Sequence, residues 1–71
     1  MPFSEYETFP LRQALDDGVV PKGSIGVVLM ILDSSSGVYE VEFVRPDGTN
    51  LGDITYTLNG DLMARVDEPH A

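Results

Sequence analysis

Carboxylates are the reactive groups this chain offers: twelve Asp and Glu, against four Lys and Arg, one His and no Cys. Glu40 and Glu42 are two residues apart in an alternating stretch, so they share one face of a strand. Two carboxylates roughly 5.5 Å apart are the working pair of a retaining glycosidase. No cleft residues accompany this pair, and a solvated outer strand face accounts for it better. Asp16-Asp17 would need further acids to hold a metal, and fits a helix end or a partner contact better. Asp47-Gly48-Thr49-Asn50 resembles a calcium loop superficially, but the acid spacing and the closing Glu are missing. Gly23-Ser24-Ile25-Gly26 is too short for a phosphate loop. His70, the only histidine, lies where side chains are usually disordered, so no Ser-His-Asp constellation can be built. The chain is therefore expected to have no catalytic residue, no metal site and no cofactor.

The elements that must position these acids are strands. Val38 to Val44 alternates, with Tyr39, Val41 and Phe43 on one face and Glu40 and Glu42 on the other. Pro46 and Gly48 then suit a chain reversal over 45–50. Ile25 to Leu32 is rich in β-branched and aliphatic residues and reads as a second strand. Gly26 within it marks a bulge or a close backbone approach. Asp33 to Gly37 is the hairpin loop between the two. Glu5 to Leu11 is a first strand that Pro10 ends or confines to an edge. Leu51 to Leu58 and Leu62 to Val66 complete a set of five. Leu11, Ala14 and Leu15 allow one short helical turn before Gly18. Residues 1–4 and 67–71 read as loose termini.

Five short strands with Gly and Pro at the turns predict an all-β, five-stranded SH3-like barrel in a single domain. Its expected core is Phe9, Val28, Met30, Tyr39, Val41, Phe43, Ile54, Tyr56 and Leu62. Tyr6 is expected to be core or half-buried, like Tyr39 and Tyr56. A chain of 71 residues has a small core, since domains of about 60 residues bury only ~60% of their unfolded surface. Such a scaffold suits a binding surface better than a deep cavity.

The net charge of −8 narrows the partners. Nucleic-acid binding needs cations to neutralise phosphate, and these are scarce. Anionic membranes would repel the same surface. A basic protein would be steered toward it. The absence of cysteine, and of a signal-peptide pattern at the start, points to the cytoplasm.

A family resemblance is carried by the order of a first strand Tyr6–Leu11, Leu15 to Gly18, Lys22-Gly23-Ser24-Ile25-Gly26-Val27-Val28, Tyr39-Glu40-Val41-Glu42-Phe43 followed by Asp47-Gly48, and Ile54-Thr55 through Leu58 to Asp61-Leu62. Over roughly Tyr6 to Val66 the chain resembles the small bacterial domains catalogued as domain of unknown function 4926. The segments are equally those of SH3-like and nitrile-hydratase-β-like barrels. The chain departs from the family pattern in lacking a proline near Ala14 to Asp17 and in its longer loop at Asp33 to Gly37. The resemblance implies a small partner protein, encoded beside toxin-like proteins, and it transfers no functional residues.

The expected function is thus a non-catalytic, acidic protein-binding domain: an antitoxin or immunity protein that occludes the basic surface of a toxin. The expected contacts are Asp16, Asp17, Glu40, Glu42, Asp47 and Asp53. The alternatives are an accessory subunit of an enzyme complex, or an inhibitor that mimics DNA. Exposed strand edges would also let two copies pair.

Overall fold

The computed structural model describes residues 2–65. Four strands form one antiparallel sheet in chain order: β1 (Thr8–Pro10), β2 (Ile25–Asp33), β3 (Val38–Phe43) and β4 (Tyr56–Asn59). The helical segments among the described residues are two 3-10 turns, Asp16–Gly18 and Gly60–Leu62, where one short turn was expected.

β3 is the centre of the packing. Its alternation is the one read from sequence: Tyr39, Val41 and Phe43 are buried, and Glu40 and Glu42 face the other way. Phe9, Leu11, Val20, Val28, Leu58 and Met63 pack with them. The rings meet edge to face in a chain, Phe3 on Phe9, Phe9 on Phe43 and Phe43 on Tyr56, with centroids 5.8–6.0 Å apart. This is the favoured arrangement of aromatic quadrupoles. Gly26 is the close approach that sequence suggested. A Cβ there would lie 2.5 Å from Phe9 Cζ and 2.8 Å from Phe43 Cε1, so two buried rings occupy the space a side chain would need.

The loops follow their turn chemistry. Gly48 N–H donates to Arg45 O across Pro46-Asp47, with Gly48 at φ 89°. Asp33 closes the β2–β3 hairpin, its carboxylate accepting from Ser35 N–H, Ser35 Oγ–H and Ser36 N–H.

Several expectations are corrected. β1 is shorter than Glu5–Leu11, because the chain turns at Glu5 and Tyr6. Tyr6 N–H donates to Val28 O, Val28 N–H donates to Glu7 O, and Tyr6 has φ 64°, the pattern of a bulge whose first residue is usually glycine. Tyr6 is 72% exposed. Phe3, expected in a loose start, is buried, with its N–H on Tyr39 Oη at 3.1 Å. Met30 and Ile54 are not core: they are 56% and 76% exposed. The register of β2 against β3 slips between Val28 and Met30 and again between Ile31 and Asp33, which reverses the face of Met30. The strand expected over 51–58 is only Tyr56–Asn59, because Gly52 at φ 77° bends the preceding residues and turns Ile54 outward.

Among the described residues the sheet is four-stranded and not closed. Of the fifth strand expected over Leu62 to Val66, Leu62 belongs to the 3-10 turn Gly60–Leu62 and Met63 makes one bridge with Leu11. Asn59 caps that turn by accepting from Asp61 N–H, which favours the turn over extended backbone. Val66, and the tail with His70, lie outside the described residues.

Candidate partner-binding surface

The six acids fall into three places. Asp16 and the Asp53 backbone meet at the Tyr56 hydroxyl, with Asp17 next to Asp16 in the same turn, Glu40 and Glu42 lie on the outer face of β3, and Asp47 lies in the 45–50 turn.

The first group rests on an unusual backbone. Asp16, Asp17 and Gly18 have φ of 55°, 53° and 91°. Asp tolerates left-handed conformation better than most residues, but normally as single residues. Consecutive left-handed residues hold here because the stem is closed: Leu15 N–H donates to Val20 O and Val20 N–H to Leu15 O, while Gly18 N–H donates to Leu15 O. Val20 anchors the stem in the core.

Tyr56 pins this turn. Its hydroxyl donates to Asp16 Oδ2 at 3.0 Å and accepts from Asp53 N–H at 2.9 Å. Its ring packs edge-on against Phe43. A Cβ on Gly52 would strike the Tyr56 hydroxyl, so Gly52 leaves the room in which that oxygen sits. The Asp53 N–H acts to lower the Tyr56 pKa, but burial and the Asp16 carboxylate together outweigh it and raise the value above 10.0. The phenol thus stays protonated and able to donate.

None of Asp16, Asp17 and Asp53 forms an ion pair with a described residue; Glu7 does, with Arg65 at 2.8 Å. Asp16 and Asp17 are exposed.

Glu40 accepts from the Thr57 hydroxyl at 3.0 Å. Asp47 is engaged within its own turn, accepting from the hydroxyl and the N–H of Thr49, and these hydrogen bonds lower its pKa. Sequence reasoning listed Tyr56 as core and missed its role as a post. The signal available was its parity with Leu58 beside a glycine at 52.

An open depression of about 370 Å³ lies between the β2–β3 loop, Phe3 and Asn59–Asp61. Its polar rim is largely spent on local turns: Ser35 and Ser36 on Asp33, and Asp61 N–H on Asn59. Among the described residues, no three His, Cys, Asp or Glu side chains come together to hold a metal ion. Nor is any helix among them long and apolar enough to cross a membrane.

Compared with known protein families, curated proteins and solved structures, the chain matched none of them.

Proposed function

We propose that this chain is a non-catalytic binding domain for a basic protein, acting in the cytoplasm as an antitoxin or immunity protein that covers a toxin's cationic surface. One observation carries the reading: the exposed left-handed turn at Asp16-Asp17-Gly18, tied to β4 by the Tyr56 hydroxyl. Left-handed backbone at a residue with a side chain costs about 1–2 kcal/mol. Strain of this kind gathers where function requires it. Exposed acids steer an encounter and then pair with Lys or Arg that would otherwise hold phosphate.

We further read the sheet as the larger part of an SH3-like barrel of the family named above. What supports this is the return of the chain to β1, where Arg12 N–H donates to Leu62 O and Ala64 N–H to Pro10 O on either side of the Leu11–Met63 bridge.

The test is purification of the chain from its native host, with expression of the neighbouring gene product alone and together with it. A basic protein should co-purify, and it should be toxic without this chain. Replacing Asp16, Asp17 and Asp53 by Asn should abolish protection while the protein remains folded. No co-purifying protein, together with a harmless neighbour, would sink the proposal. A stoichiometric enzyme that needs this chain for activity would identify an accessory subunit instead.

A further inference from the structure

The outer face of the sheet combines two chemistries. Residues directly opposite one another in neighbouring strands share a face. The register sets Thr8, Val27 and Glu42 in one row, and Met30, Glu40 and Thr57 in the next. Ile25 shares the face of Val27, two residues on. Ile25 is 57% exposed, much like Met30. An aliphatic stripe on β2 therefore runs beside an acidic stripe on β3. The slip between Val28 and Met30 creates it, because unbroken alternation would turn Met30 inward with Val28.

We infer that this face docks an amphipathic segment of the partner protein. Its apolar side chains would cover Ile25, Val27 and Met30, and Lys or Arg along one border would reach Glu40 and Glu42. Charge complementarity selects this occupant. Neither glutamate forms an ion pair with a described residue, and Lys or Arg on a partner complements their charge. A second copy is the wrong match: it carries the same net charge of −8, with four Lys and Arg against twelve Asp and Glu, so like charges oppose the pairing. The inference rests on the basic-partner reading and adds where the partner sits and what its contact segment looks like.

The probe is a synthetic amphipathic peptide with Leu along one face and Lys along its border, titrated into the labelled chain and followed by amide chemical shifts. Its control has the same composition, scrambled so that no apolar face forms. Shifts should centre on Ile25, Val27, Met30, Glu40 and Glu42 and need the intact apolar face. The Glu40→Gln/Glu42→Gln variant should bind about tenfold more weakly, as two exposed ion pairs of up to about 1 kcal/mol each would give. Met30→Ser should weaken binding, because it removes an exposed apolar side chain from the stripe. Equal binding of the scrambled peptide overturns the inference, as does an absence of shifts. Shifts confined to the Asp16–Asp17 turn overturn it while leaving the basic-partner reading intact. Concentration-dependent shifts on this face without peptide would mean that a second copy covers it, and would also overturn it. Failure of the basic-partner reading is recognised separately, by the native-host purification.

Discussion

The Tyr56 hydroxyl lies 3.0 Å from the Asp16 carboxylate, joining residues forty positions apart in the chain. One phenol thereby couples the end of the sheet to a strained acidic turn, and the same oxygen receives the Asp53 N–H.

Tyr56→Phe removes both hydrogen bonds and keeps the ring contact with Phe43. Urea unfolding should show a loss of about 1 kcal/mol, and amide exchange should quicken at Gly18 and Asp53. Unchanged exchange at both sites would show that the hydroxyl does not hold the turn.

The raised pKa of Tyr56 has a signed consequence. The folded state favours the neutral phenol, so its stabilisation is complete below the unfolded value near 10.0 and is lost as pH rises through the higher folded value. Stability should therefore decline in strong alkali, and Tyr56→Phe should show a shallower decline. Tyrosinate absorbance, compared between the native protein and this variant, gives the midpoint; one at or below 10.0 refutes the shift.

Asp33 and Asp47 behave oppositely. The Ser35 side chain, with Ser36 and the backbone, lowers the pKa of Asp33, and the Thr49 side chain lowers that of Asp47, from an ordinary value of 3.8. Their contribution to stability is present above the unfolded value and fades as pH falls through the lower folded one. Carboxyl chemical shifts should titrate below 3.8 at both residues. Ser35→Ala should return Asp33 toward 3.8 and leave Asp47 where it was.

Asp17 has φ 53°, so Asp17→Gly should stabilise the protein by roughly 0.5–1 kcal/mol, glycine's greater unfolded freedom offsetting part of the relief. The same variant should protect less well in the toxicity assay. A stabilised variant with full protection would remove the functional reason for the strain.

Gly26→Ala places a methyl group against the Phe9 and Phe43 rings. Overpacking in a filled core costs about 1–3 kcal/mol, and the upper end is expected because both rings are fully buried. Thermal unfolding checks this; a change below about 0.5 kcal/mol would mean that the rings move aside freely.

The parts legible in sequence are those governed by neighbours along the chain. The inward Tyr39, Val41 and Phe43 follow from period-two alternation, and the reversal at 45–50 follows from Pro46 and Gly48. The misjudged residues are those whose surroundings come from afar. Phe3 is buried because Phe9 and Tyr39 meet it edge-on. Of the candidate acids, all six could be named as charged positions, but their grouping could not. Asp16 and Asp53 come together only because a tyrosine from β4 reaches between them.

By itself the sequence determined a β-rich chain, the positions of its hairpin turns, an acidic surface and the small size of its core, because alternation, turn residues and charge are local or additive properties. Tertiary structure alone decided which face Met30 joins, where Gly52 breaks the fourth strand, and how Asp16 and Asp17 are held in left-handed backbone. Each of these depends on register between strands or on a contact across tens of residues, and one residue of slip reverses the face of a side chain.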